Sequence, residues 1–304
     1  MAIGSGVSIG ATDIALRADD RPIFMGRNWL RESTSVTPQW RSGGSWASGS
    51  DETDSNGPTS YLFDEFDHHQ SYPDSNLTTW YLIFDLGADV GVIDSVAILN
   101  HNFGSSCAQI ALELADDNAF GVNLKICEAQ TPTDNKRLVF LDLDDTAGGG
   151  QLRYSNVRYL RLKLDPCTAV PKIGEVIFSR RRQLKNKSVL SFDPYNLRSK
   201  VEPFKTDSGV SVRYVRNKGQ RVLTANFNPS QDAYIGDIET LFDTDTDFGT
   251  NPFLYIENPG TSPSDALWME FDNPELIGPL SGWTERNFSL RATELGPNFL
   301  ALGA

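Results

Sequence analysis

Apolar residues in this chain fall in short runs separated by breaks rich in Gly, Asp and Ser, a spacing that predicts strands rather than long helices. Residues 80–86 (Trp-Tyr-Leu-Ile-Phe-Asp-Leu), closed by Gly87, read as one strand and 92–99 as a second. A turn containing Gly87, Asp89 and Gly91 is expected to join them into a hairpin-like pair at the centre of a sandwich core. Residues 109–114, 138–143 and 173–178 continue the series. The alternation is cleanest over 158–164, where Leu160, Leu162 and Leu164 point one way and Arg161 and Lys163 the other. Many short strands with turn signals between them predict a β-sandwich spanning 28–182.

A second, mainly β domain with one helix is predicted over 183–304. Val210, Val212 and Tyr214 alternate, as do Leu223, Ala225 and Phe227, and 253–256, 267–271 and 288–292 are further strands. Between them Ser230 reads as an N-cap, with Asp232 at the positive end of a helix whose Tyr234, Ile238, Leu241 and Phe242 share a face. Residues 1–27 carry only three short apolar pieces, at 7–9, 14–16 and 23–25. They suit an arm that docks on a neighbour, or a strand added to either domain. Residues 31–60 form a polar loop in which Trp40 and Trp46 are either anchors pinned to the core or a binding platform, anchors being the commoner use.

Charge narrows the partners. The 304 residues carry a net charge of −13, which repels phosphate backbones and argues against nucleic acid. Cys107, Cys127 and Cys167 lack metal-site spacing and leave one over, so they read as buried apolar residues of a chain made in a reducing cytosol. The N-terminus has neither a basic segment nor an apolar stretch of signal-peptide type, and no run reaches membrane-spanning length, so a soluble protein is expected. Arg180, Arg181 and Arg182, followed by Lys185 and Lys187, read either as a solvated linker or as a patch that docks on an acidic neighbour.

With these runs placed, residues 28–182 resemble the galactose-binding-like (discoidin, or coagulation-factor C-type) jelly roll. The features that carry the resemblance are Leu62-Phe63-Asp64 before a loop, the run 80–87, Ile-Asp-Ser-Val-Ala-Ile-Leu-Asn-His-Asn at 93–102, Arg-Tyr-Leu-Arg-Leu at 158–162 and Ile-Gly-Glu-Val at 173–176, in that order. The phrases Leu-Asn-His-Asn and Ile-Gly-Glu-Val-Ile-Phe look most like versions found in tailed-bacteriophage structural proteins. Residues 186–296 look like a tail β-domain of the distal-tail or tail-tip kind. The resemblance implies a virion protein, assembled in the host cytoplasm into an oligomeric ring as a tail-tip, baseplate or fibre-attachment adaptor subunit. Its partners would be copies of itself and other tail proteins. The alternative is a carbohydrate-binding module for host-surface glycans, although no ligand triad of the family maps onto this chain.

For sugar binding the candidate contacts are Trp40, Trp46, Phe66 and His68, since aromatic faces stack on sugars and polar loop residues hold hydroxyls. Asp64, Glu65 and Asp67, beside His68 and His69, are the densest set of oxygen ligands and the candidates for a structural calcium, which some jelly rolls of this family hold. No other cofactor is expected. His101, between two Asn, reads as a hydrogen-bonded structural residue. The sequence contains no Gly-x-Ser-x-Gly, His-Glu-x-x-His or P-loop, and an enzyme is not expected. Residues 243–247 (Asp-Thr-Asp-Thr-Asp) read as a helix-to-strand turn, and Trp268, Trp283, Tyr255 and Phe271 as core or subunit-interface aromatics.

Overall fold

The computed structural model describes residues 22–26, 28, 30, 37–46, 51–64, 69–87, 93, 95–122, 125–126, 129–132, 137–141, 144–145, 150–151, 158–179, 181–183, 189–198, 201–205, 211–215, 220–231, 240–257, 266–272 and 285–295. In chain order the first strands are β1 (Ile23–Met25), β2 (Thr37–Arg41), β3 (Trp80–Asp85), β4 (Ser95–Leu99), β5 (Ile110–Ala115), β6 (Lys125–Ile126) and β7 (Arg137–Leu141). Then come β8 (Asp144–Asp145), β9 (Gly150–Gln151), β10 (Tyr159–Leu164), β11 (Glu175–Ser179), β12 (Arg182–Gln183) and β13 (Val189–Arg198). The last are β14 (Val201–Lys205), β15 (Ser211–Val215), β16 (Gln220–Gln231), β17 (Phe253–Ile256), β18 (Ala266–Phe271) and β19 (Glu285–Glu294). The protein is mainly β and its chain divides into two compact units.

The first unit, built from the described residues between 27 and 181, is a sandwich of antiparallel sheets. One sheet runs β2-β3-β10-β5-β6 and the other β11-β4-β7. Strand β10 lies between β3 and β5, with Leu162 opposite both Leu82 and Leu112. The even-numbered leucines therefore line up across three strands and enter one core with Trp80, Phe84, Val96, Ile98, Val176 and Phe178. Phe84 of one sheet meets Phe178 of the other edge to face, ring centres 4.9 Å apart, the geometry the ring quadrupoles favour. Trp40 packs edge-on against Trp80 at 6.3 Å, and its indole N–H donates to the Ser71 hydroxyl at 3.0 Å. At the free edge of β11 the side chain of Asn28 substitutes for a strand, its amide donating to the Val176 carbonyl and its oxygen accepting from the Phe178 N–H.

One expectation changes here and one holds. The runs around Trp80 and Val96 are not a hairpin, because β3 and β4 belong to different sheets and face each other across the core. Placing them in opposite sheets encloses the apolar faces of both. His101 is the structural residue expected, buried at the end of β4 with its Nδ1 accepting from the Phe103 N–H at 3.2 Å.

The second unit holds a seven-stranded antiparallel sheet in the order β12-β1-β17-β18-β19-β16-β13, and a separate hairpin of β14 and β15. Its core gathers Phe24, Leu241, Phe242, Phe253, Tyr255, Leu267, Met269 and Phe271. Ile23–Met25, grouped above with an N-terminal arm, is a strand of this sheet, with all three side chains buried. Residues 1–21 lie outside the described residues. Arg182 belongs to no solvated linker: its guanidinium donates to both carboxylate oxygens of the buried Asp245, at 2.8 and 3.4 Å. A forked donor on a planar acceptor is the strongest geometry such a pair can adopt.

Ser230 does not cap a helix. It sits in β16 opposite Arg286, and β16 runs to Gln231. A register shift between Phe227 and Ser230 contains Pro229, and a shift between Asp193 and Arg198 in β13 contains Pro194. Proline cannot donate to a ladder, so both strands bulge where it occurs and pairing resumes beyond it. Tyr234 and Ile238 lie outside the described residues, while Leu241–Asp245 form one π-helical turn that buries Leu241 and Phe242. Residues 246–250 then turn into β17, as expected of the acidic run there. Tyr255, Trp268 and Phe271 are buried, and Trp283 is outside the described residues.

The two faces of β10 predict opposite mutational responses. Leu162→Ala should cost about 2–5 kcal/mol, whereas Lys163→Ala should stay within about 0.5 kcal/mol. Urea unfolding of the intact chain, followed by tryptophan fluorescence, checks both values.

Candidate functional site

Strand register brings three connections to one end of the first unit. Trp80 pairs with Leu164, Leu164 with Ile110, and Glu175 with Leu99. The links β2–β3, β4–β5 and β10–β11 therefore all emerge together. They are tied directly: Ser71 and Ile173 exchange backbone hydrogen bonds of 2.7 and 3.0 Å, and the Gln70 side-chain amide donates to the Asn100 carbonyl. Asn100 has φ 49°, a left-handed conformation that Asn tolerates well. This aims its carbonyl at both Gln70 and the Gly174 N–H.

On this frame a short 3-10 helix, Thr59–Phe63, follows Pro58 and drives Leu62 into the core. Tyr61, on the opposite side of the turn, stacks on the His69 imidazole with centroids 4.6 Å apart and planes 29° from parallel. Asp64 ends the helix, and its Oδ2 lies 2.6 Å from His69 Nδ1. The carboxylate orients the ring, and Leu62 anchors the backbone that carries Tyr61. Nearby in sequence, Tyr72 carries the Lys172 ammonium 5.1 Å above its ring. It also packs so closely on Gly57 that a Cβ there would lie 2.4 Å from the phenol ring. The result is a partly exposed pair of stacked rings, Tyr61 and His69, edged by the Asp64 carboxylate. It can offer a flat apolar face and directional hydrogen-bonding groups to a polar ligand.

The outer face of the five-stranded sheet carries a second constellation, which starts beside Tyr81 and reaches to the opposite end. Residues 42–46 leave β2 and cross this face as a strap, and the Trp46 N–H donates to the Asn118 carbonyl at 2.9 Å. Arg161 fastens it: the guanidinium donates to the Gly44 carbonyl and to the Glu113 carboxylate, and lies 4.1 Å from the Phe120 ring centre and 5.3 Å from that of Tyr81. Trp46 closes the cluster, 6.3 Å from Tyr159 and 5.9 Å below the Arg41 guanidinium. Phe120 has φ 56°, a strained conformation for a bulky residue, at a cost of about 1–3 kcal/mol. Asp117 holds that turn by accepting from the Gly121 and Val122 N–H groups, which set its carboxyl below the usual range.

At the edge of this face burial raises the Asp85 carboxyl, but hydrogen bonds from Arg158 at 3.0 and 3.1 Å and from the Gly87 N–H outweigh it, leaving the group below its ordinary value. Burial, with the Asp85 charge beside it, pushes the neighbouring Tyr159 phenol up.

The candidate residues do not assemble into one site. Trp40 is fully buried, presents no face to solvent and serves as a core anchor, so it drops out as a sugar contact. Trp46 is half-buried at the far end of the strap, on the other end of the unit from Asp64 and His69. Phe66 and His68 lie outside the described residues, as do Glu65 and Asp67 of the calcium set. Asp64, the one member of that set described, has an oxygen on the His69 nitrogen. Among the described residues no group of three or more His, Cys, Asp and Glu is placed to hold a metal. Tyr61, Tyr72 and Lys172 were not legible as site residues. Their partners are eight, fifteen and a hundred positions away in the chain, with no periodicity to connect them.

Comparison with known proteins adds similarity at the level of solved structures. A chitosan-binding module from a chitosanase/glucanase of Paenibacillus sp. IK-5 superposes with a TM-score of 0.37 and 12% identity, covering 51% of this chain and 99% of that one. A module CBM32-1 from a family 31 glycoside hydrolase of Clostridium perfringens gives 0.32 and 13%, covering 49% and 96%. A family GH29 fucosidase of Ruminococcus gnavus, solved with fucose, gives 0.34 and 15%; the match covers 50% of this chain and only 26% of that enzyme. No protein-family model matches the chain, and no curated protein matches it.

Two outcomes follow from this geometry. Arg161→Met should leave Glu113 buried without its cation, a loss of about 3–5 kcal/mol, and should speed hydrogen exchange of residues 42–46, read by mass spectrometry of the intact chain. Because the Asp85 carboxyl is depressed on folding, its contribution is present above the ordinary carboxylate pKa and is lost as pH falls through the folded value. Wild type should therefore lose stability faster than Asp85→Asn between about pH 5 and pH 2, measured as melting temperature against pH.

Proposed function

We propose that the first unit is a carbohydrate-binding module whose ligand seats on the loop end, against the Tyr61–His69 pair. The observation that carries this reading is the stack itself: two half-exposed rings held 4.6 Å apart, one fixed by a 2.6 Å contact to Asp64. A pyranose presents C–H faces and equatorial hydroxyls, so it needs a flat apolar platform flanked by fixed polar groups. Preorganisation of those groups reduces the ordering cost of binding a weak, polar ligand. The net charge of −13 disfavours polyanionic chains and favours neutral or amino sugars.

A role in a phage tail, as a ring-forming tail-tip or adaptor subunit, is supported by the ordered sequence resemblance and is compatible with glycan binding. The observation that favours it is a second unit with its own seven-stranded sheet and core. A calcium ion at Asp64, Glu65 and Asp67 belongs to the same proposal.

A glycan array probed with the full chain should show binding to neutral or amino sugars. Tyr61→Ala and His69→Ala should each weaken it at least about tenfold, the loss of one stacking contact plus its hydrogen bonds, with melting little changed. Absence of any glycan signal, or binding that survives both variants, overturns the site. Loss in Trp46→Ala alone would move it to the strap.

A further inference from the structure

We propose that Cys107 and Cys167 form a reversible disulfide that staples the β4–β5 connection to the β10–β11 connection of the first unit. Cys107 ends the helical turn Phe103–Ser106, and Cys167 follows Pro166. The two face each other in an antiparallel bridge. The bonds that frame this bridge run from the Ala108 N–H to the Pro166 carbonyl, at 2.9 Å, and from the Thr168 N–H to the Ser106 carbonyl, at 2.7 Å. Cys107 and Cys167 thus occupy a non-hydrogen-bonded pair, the register in which opposed α-carbons come closest, about 4.5 Å apart. That spacing is at the near end of the window a disulfide spans without moving the backbone. The sulfurs of the two thiols are 2.9 Å apart, so a bond of about 2.05 Å needs a closing movement of less than about 1 Å.

The pair is also chemically poised. A hydrogen bond from Cys167, and a further one from the Ser106 hydroxyl, set the Cys107 thiol below its ordinary value against the opposing effect of burial. The same contact with Cys107, with burial, raises the Cys167 thiol. Cys107 is therefore the attacking sulfur. With oxidised glutathione as the oxidant, the Cys107 thiolate attacks one glutathione sulfur and displaces the other glutathione as a thiol, giving a mixed disulfide. Cys167 then attacks the Cys107 sulfur, its proton passing to the departing second glutathione. Two protein thiols lose two electrons in total, and one disulfide of glutathione is reduced to two thiols. The bond closes a loop of 60 residues, which removes freedom from the unfolded chain.

The test is a peptide map of the full chain after equilibration with oxidised glutathione, unfolding and thiol alkylation. The expected result is one cross-linked peptide pair containing Cys107 and Cys167, with Cys127 alkylated, and a melting temperature several degrees above the reduced protein that returns to the reduced value with dithiothreitol. Cys127→Ser should keep both properties. All three cysteines alkylated after oxidation, or a bond that includes Cys127, overturns the proposal, and the wild-type map decides this even if Cys107→Ser fails to fold.

Discussion

The constraint on which the first unit depends is the burial of one face of β10 between two neighbours. Leu160, Leu162 and Leu164 face inward, each opposite an apolar residue on both β3 and β5. Side chains alternate across a strand, so this register commits Tyr159, Arg161 and Lys163 to the other face. A slip of one position would put Arg161 and Lys163 into a core that holds Phe84 against Phe178, without partners for either cation. The outer face, with its strap, and the loop end, with its rings, are both set by that single register.

Arg161 shows how the commitment propagates. A guanidinium on an exposed sheet face would ordinarily be worth little. Here Glu113 opposes it in the same cross-strand row, Phe120 and Tyr81 cover its planes, and the Gly44 carbonyl takes another N–H. One side chain thus fixes the 42–46 strap and favours the strained backbone at Phe120. At the other end no comparable charge is needed. There Leu62 and Trp40 are sunk in the core and hold the chain that carries Tyr61, Asp64 and His69, and backbone bonds between 71 and 173 close the frame.

The two ends therefore suit different tasks. The strap end is closed over its aromatics, and its ring surfaces are engaged by arginines. The loop end keeps a ring pair half-exposed and edged by Asp64, the geometry on which the proposed glycan site rests. The thiol pair lies in two of the connections that build this end, so its oxidation would act on the frame rather than on the rings.

Local pattern by itself determined the mainly β class, the strands at β3, β4, β5, β10 and β11, the inward set of leucines, and the structural role of His101. These rest on the two-residue period and on burial, which neighbouring residues already encode. What only the tertiary structure decided were choices among equivalent pairings. Placing β3 and β4 in opposite sheets, taking Ile23–Met25 into the second sheet and continuing β16 through Ser230 each depend on strands far away in the chain. The same holds for the sites. An aromatic such as Trp40 or Trp46 is visible in the sequence, but whether it is core, strap or platform depends on what packs over it. The meeting of Tyr61 with His69, of Arg161 with Gly44 and of Cys107 with Cys167 comes from chain closure over long loops, for which no local spacing leaves a mark.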